Sequence, residues 1–262
     1  MRERLIYEYM MERRRGIDSR APDCYPATTT YLAPTEHIPD DAPWTQPVET
    51  VATRKLTAPS RGHSRGFVMD PINDRQLVFE SMLECSLAQI LVADRRVAKI
   101  EDQPAAVSYL DDRGRLRRHT FDFRVTTRIG KRLAIAVKPS ARVDRSGLPR
   151  ILQQIEMQTG NAFADHFLIR TEEILTSNRR FNADFVIRSL RARNDDDVEA
   201  VRTIARSLNG AVEVRDVVAL SGLGARGLCA VACLIYEGVL QIAGTYRIGP
   251  YCPVRFVRGA VQ

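Results

Sequence analysis

Residues 119–138 constrain the fold of this chain more than any other segment. They read His-Thr-Phe-Asp-Phe-Arg-Val-Thr-Thr-Arg-Ile-Gly-Lys-Arg-Leu-Ala-Ile-Ala-Val-Lys. Apolar and polar residues alternate on both sides of Ile129-Gly130, which predicts two β-strands joined by a tight turn. Successive side chains on a strand point to opposite faces. Phe121, Phe123 and Val125 therefore share one face of the first arm, and Asp122, Arg124 and Thr126 the other. On the second arm Leu133, Ile135 and Val137 lie opposite Ala134, Ala136 and Lys138. The pattern sets an acid, Asp122, and a base, Lys138, along one edge of a sheet whose other face is core.

The chain around this hairpin is a mixture of helix and strand signals. Residues 2–15 suit a short charged helix, and residues 18–50, with six prolines, suit an extended arm. The basic stretch that follows, from Arg54 to Arg65, reads first as a solvated loop and second as a specific DNA contact. From Asp74 the spacing of Leu77, Val78, Met82, Leu83, Leu87, Ile90 and Leu91 predicts a helix, with Glu80 and Glu84 one turn apart on it. Strands are expected at 97–100 and 105–110, a turn at Asp112-Arg113-Gly114, a helix at 148–157 and a strand at 166–170. The fold class is α/β.

Beyond residue 180 the pattern changes. Helices are expected at 195–208, 212–220 and 225–236, stopped by Asn209-Gly210, by Ser221-Gly222-Leu223-Gly224 and by Glu237-Gly238. A hairpin with arms at 239–243 and 251–257 closes the chain. Three helices with a tight turn and a terminal hairpin describe a winged helix-turn-helix. Arg226 falls early on the second helix of that motif, where groove-reading residues lie. A role limited to protein contacts weighs equally. The expected organisation is an arm over 1–50, an α/β domain over 51–180 and a winged-helix-like domain over 181–262.

Charge and composition narrow the partners. The net charge is +7 and the isoelectric point about 9.4. Four of the 39 basic residues are lysine and 35 are arginine, the better residue for bidentate phosphate contact. Nucleic acid fits such a balance. No apolar run reaches the roughly 18 residues of a membrane span. The N-terminus has mixed charge and no apolar core, so no secretory signal is expected. Five scattered cysteines, Cys24, Cys85, Cys229, Cys233 and Cys252, form no CxxC pair and suggest reduced thiols in the cytoplasm.

Metal-dependent nucleases need carboxylates to hold Mg²⁺ or Mn²⁺ and a positive group near the scissile phosphate. The hairpin offers both types, within a field set by Arg113, Arg115, Arg117, Arg118, Arg124, Arg128, Lys131 and Arg132. Arg117, Arg118, Arg124, Arg128 and Lys131, with Arg226, are the candidate DNA-binding residues.

Four segments in order carry a resemblance: Phe79-Glu-Ser-Met-Leu-Glu84, Val97-Ala-Lys-Ile-Glu-Asp-Gln103-Pro104, His119-Thr-Phe-Asp122-Phe and Ala136-Val-Lys138-Pro139. Over residues 70–180 the chain resembles TnsA-type endonucleases, the nuclease subunits of heteromeric transposases. The resemblance implies a restriction-endonuclease-like mixed sheet flanked by helices, followed by a winged-helix-like domain. It implies Glu84 and Asp122 as metal ligands and Lys138 as the residue that orients water and offsets charge. It implies Gln103-Pro104 as a strand entry. It also implies cutting of transposon 5′ ends, a DDE-type transposase partner and an AAA+ regulatory ATPase. Glu80 is the rival helix carboxylate, read as an exposed helix charge.

Ala136 departs from the family pattern, which has Glu or Gln two residues before the lysine. Three readings stand side by side: an engineered inactivation, a substitute acid from the next helix with Glu156 the best candidate, and a weakened nuclease kept for binding. The function expected first is a Mg²⁺-dependent DNA endonuclease. The alternatives are a non-enzymatic DNA-binding assembly subunit and a stand-alone defence nuclease.

Overall fold

The computed structural model describes residues 64–258, and the expected helix and proline-rich arm lie outside them. Its first element is an antiparallel hairpin, β1 (Gly66–Asp70) and β2 (Arg75–Phe79). The helical spacing expected from Asp74 thus begins as a strand. Leu77 and Val78 are both buried, and the Val78 N–H donates to the buried carboxylate of Asp102 at 2.8 Å. Arg75 pairs with the same carboxylate at 2.9 Å, so a buried ion pair fixes this segment as a strand.

The helix itself, α1 (Met82–Val92), starts one residue after its Ser81 cap. It leads into β3 (Val97–Asp102), then the hairpin β4 (Val107–Leu110) and β5 (Leu116–His119). The expected central hairpin follows as β6 (Phe123–Thr127) and β7 (Arg132–Val137), turning at Gly130 with φ 79°. A short helix α2 (Ser140–Val143) and a longer α3 (Leu148–Thr159) carry the chain to β8 (His166–Arg170). The four-stranded sheet has the order β3-β6-β7-β8, antiparallel except for the β7–β8 pair, which is parallel. A parallel neighbour needs a crossover, and α2 and α3 form it. This is a mixed sheet flanked by helices.

Both faces of this sheet are covered, contrary to the single core face expected from alternation. Phe123, Val125 and Ile135 pack with Leu87, Ala88 and Val92 of α1. Ala134 and Ala136 pack on the opposite face with Leu148, Leu152 and Ile155 of α3. The small side chains let α3 approach closely, and so a row of alanines reads as core. The parity of the first arm also breaks at Asp122: Phe121 joins the α3 face while Phe123 joins the α1 face. Strand pairing of β6 begins only at Phe123, so the chain bends at Asp122 instead of continuing the pleat.

A helix not anticipated from the sequence, α4 (Ser177–Arg191), follows β8. The boundary expected at 180 falls inside it, and all described residues belong to one compact unit. Then come α5 (Asp195–Arg206), β9 (Ala211–Glu213), α6 (Val214–Ser221), α7 (Ala225–Glu237), β10 (Leu240–Ile242) and β11 (Pro253–Phe256). The three strands pair antiparallel in the order β10-β11-β9. α7 is the centre of this region. Gly227 and residues 230–234 are buried on it, and it packs against α4, α5 and α6. Cys85, Cys229, Cys233 and Cys252 are free thiols. Among the described residues, no helix is long and apolar enough to cross a membrane.

Candidate active site

The sheet end formed by the start of β6 and the finish of β7 brings the predicted groups together. The Asp122 N–H donates to the Ile135 carbonyl at 3.0 Å. Its Oδ2 accepts the Val137 N–H at 2.6 Å, and its carbonyl accepts the Gln103 N–H at 2.9 Å. Gln103 holds the left-handed φ of 40° at the end of β3, a conformation non-glycine residues rarely take. The expected strand entry at Gln103-Pro104 therefore also holds the backbone of the acid.

Asp122 titrates far from an ordinary aspartate. Burial and then the Glu84 carboxylate raise its pKa to about 7, Glu80 adds to the rise, and the Val137 N–H and the Lys138 ammonium oppose it. Glu84, Glu80, Asp122 and Lys138 thus share one electrostatic neighbourhood. Lys138 is anchored by its own N–H, which donates to the Arg170 carbonyl of β8 at 3.0 Å.

Glu84 has a second task that its spacing from Ser81 encodes. Ser81 caps α1: its hydroxyl accepts the Glu84 N–H at 3.2 Å and donates to Glu84 Oε1 at 2.8 Å. Glu84 Oε2 accepts the Glu80 N–H at 2.7 Å. This is a form of the capping box, with the carboxylate at the positive end of the helix. Glu80 is not the exposed helix charge expected: it lies before the helix and is half-buried.

Other expected residues fall elsewhere. Ala136 is only 3% exposed, within the α3 packing face. Glu156 is exposed on α3, one residue past the buried Ile155, so it turns away from the sheet and supplies no substitute acid. Arg124 is not a free phosphate contact, because it forms two hydrogen bonds to Glu101, at 2.8 and 3.0 Å, and lies over the Phe163 ring. Arg226 is tied to Asp197 at 2.7 Å. Arg226 is itself exposed at the start of α7, whose body packs on its neighbours. Arg117 pairs with Asp111 at 3.2 Å, and Arg128 donates to the Arg95 carbonyl at 2.6 Å. Arg118 and Lys131 remain exposed, with no ion pair among the described residues.

Two residues not singled out from the sequence border the site. His119 lies edge-on to Phe121, at 4.7 Å between ring centres. Its Nε2 is buried without a hydrogen-bond partner, and burial and the Lys138 charge lower its pKa. Arg170 is the second. His119 opens the His119-Thr-Phe-Asp122-Phe segment without a role given to it, and Arg170 reaches this end of the sheet through the pairing of β8 with β7.

A divalent cation finds a partial donor set. Among the described residues no group of three or more His, Cys, Asp or Glu is arranged to hold a metal. Asp122 retains one oxygen without a hydrogen bond, and each Glu84 oxygen keeps a second lone pair. Two carboxylates fit Mg²⁺, which is commonly bound by one or two carboxylates with waters and substrate phosphates rather than by an all-protein cage. No family model matches this chain, and the comparison with curated proteins finds no match.

Proposed function

We propose that this chain is a metal-dependent DNA endonuclease with a restriction-endonuclease-like core, the subunit of a heteromeric transposase that cuts the 5′ ends of the element. One observation carries the reading: Asp122 and Lys138 occupy the same end of neighbouring strands, with the Glu84 carboxylate near enough to raise the pKa of the acid. The order of helix, three antiparallel strands, helix and parallel strand supports it. Asp122 and Glu84 would hold Mg²⁺ or Mn²⁺. The ion, when bound, supplies Lewis-acid polarisation of the phosphate and a more acidic water. Lys138 orients that water and offsets charge on the phosphate. The Val137 N–H and the Gln103 N–H hold Asp122 rigid against the strand end. DNA at the transposon ends, a DDE-type transposase and an AAA+ ATPase are the partners of this reading, and the cytoplasm its location.

The order of strands and helices after α4 supports a winged-helix variant for the C-terminal region. A second reading, a nuclease-fold subunit kept for binding and assembly, is favoured by Ala136, whose methyl group offers no ligand. A nicking assay with the partner transposase, with and without Mn²⁺, separates the two. The endonuclease reading expects metal-dependent nicks that Asp122→Ala abolishes and Lys138→Ala abolishes without loss of DNA binding. Nicking that survives Asp122→Ala unchanged would sink it.

A further inference from the structure

His119 ends β5 directly opposite Val107, which is buried with Phe121, Ala134 and Ala136 on the α3 face of the sheet. Directly opposed residues of a hairpin share a face. The imidazole therefore turns toward α3, where it meets the Phe121 ring edge-on at 4.7 Å. Alternation carries Lys138 to the same face. Val137 packs with the α1 cluster and Ala136 with the α3 cluster, and the bond from the Lys138 N–H to the Arg170 carbonyl continues the strand by one residue. Imidazole and ammonium thus stand on one side of the sheet, and the Lys138 charge acts on the ring.

Each of the two groups is without a partner. Nε2 of His119 is buried and bonds to nothing, whereas Nδ1 is not enclosed in this way and meets solvent. Water can accept a proton carried on Nδ1. A proton on Nε2 would be a stranded buried donor, which is rarer and costlier than a spare acceptor. The ring therefore carries its proton on Nδ1 and turns a lone pair inward. Burial and then the Lys138 charge favour this neutral form. The aromatic wall around it, Phe121, Phe163 and Phe167, offers no donor. Lys138 has three donors, and its ammonium makes no hydrogen bond or ion pair among the described residues. Buried polar atoms are ordinarily satisfied, so an inward lone pair beside an uncommitted ammonium calls for a cause.

We propose that His119 is a positioning residue for Lys138: its Nε2 lone pair takes one hydrogen of the ammonium and leaves two for phosphate and water. What Lys138 then does rests on the nuclease reading. The flexible four-carbon stem of lysine gives the ammonium the reach to close this bond. A neutral acceptor suits the task, because it fixes the direction of the cation without cancelling its charge. A carboxylate in the same place would do both.

Nuclear magnetic resonance of the full chain with ¹⁵N-labelled histidine tests this without any activity. Only four histidines are present, so His119→Gln assigns the ring. The wild type should show the proton on Nδ1, and Lys138→Met should shift the Nε2 signal as its hydrogen bond is lost. A proton on Nε2, or an Nε2 signal indifferent to Lys138→Met, overturns the proposal. In the nicking assay His119→Phe, which keeps the packing on Phe121 and loses the acceptor, should be about tenfold slower at unchanged DNA affinity. His119→Gln should recover most of the rate, because its carbonyl reaches the place of Nε2. A Gln variant as slow as the Phe variant marks a packing role and overturns the assignment. Should the Phe variant fold poorly, the wild-type and Lys138→Met spectra decide. If the wild type never nicks DNA yet Nε2 responds to Lys138→Met, the nuclease reading fails and the pair stands. Normal nicking with an indifferent Nε2 gives the reverse.

Discussion

Asp122 and Glu84 each serve the fold and the candidate site at once, and this sets what their substitution does. Asp122 is held with a folded pKa of about 7, above the roughly 4 of an ordinary aspartate. A carboxyl raised on folding contributes stability that is full below the unfolded pKa and is lost as pH rises through the folded one. Wild-type stability should therefore fall between about pH 4 and pH 7 relative to Asp122→Asn, whose side chain still accepts from Val137. Urea unfolding at pH 4 and pH 8 measures this; equal differences at both pH values would refute the raised pKa. Ser81→Ala removes the cap of α1 and should cost about 1 kcal/mol while leaving nicking within a few fold. Glu84→Gln keeps one of the two acceptor oxygens at the cap and loses the charge beside Asp122, so it should slow nicking more than it lowers stability. Melting curves and nicking rates of the two variants, taken together, separate cap from site. The Ser81-x-x-Glu84 spacing was legible in the sequence as a capping box, but a motif alone assigned Glu84 a single role.

The elements show where alternation misleads. In β7, alternation sets Ala134 and Ala136 with Lys138, against Leu133, Ile135 and Val137. The structure buries both rows, because α3 covers the alanine side. Restoring an acid by Ala136→Glu would drive a carboxylate into the Leu148, Leu152 and Ile155 face. It should cost about 3 kcal/mol of stability, from overpacking and an unpaired buried charge. A variant as stable as wild type with increased Mn²⁺-dependent nicking would show instead that the carboxylate reaches the sheet end. The arginines divide in the same way. Arg124→Ala leaves Glu101 with Lys99 alone, 3.3 Å away, and should lower stability more than DNA affinity, whereas Arg118→Ala and Lys131→Ala should flatten the salt dependence of binding and leave the melting temperature unchanged. Sequence showed the crowd of cations around the hairpin; only the fold shows which already have acids.

Across the whole molecule, α4 joins what composition divides. It packs on α1 at one side and α7 at the other. Asn182 holds the β10–β11 loop to it, donating to the Tyr246 carbonyl and accepting the Ile248 N–H, both at 2.8 Å. Asn178 donates to the Thr245 carbonyl at 3.1 Å, and Arg95 donates to the Glu237 carbonyl at the end of α7 at 2.7 Å. Asn182→Ala leaves the part-buried Ile248 N–H unpaired and should cost about 2 kcal/mol. Circular dichroism and hydrogen exchange should report one unfolding transition for the region 64–258; two separated transitions would show independent domains. By itself the sequence determined the local elements: the central hairpin, β8, and the helices that became α3, α5 and α7. It also singled out the candidate groups at 84, 122 and 138. Periodicity and turn residues act within a few positions, so a chain read alone yields them. What the tertiary structure decided is non-local. Leu77 and Val78 became a strand through a buried pair formed by Arg75 and Asp102. The body of α7 came to pack against three other helices. Arg124 and Arg226 found acids 23 and 29 residues away. Burial and ion pairing depend on which elements meet, and residues 119–138 specify a hairpin without specifying what covers its two faces.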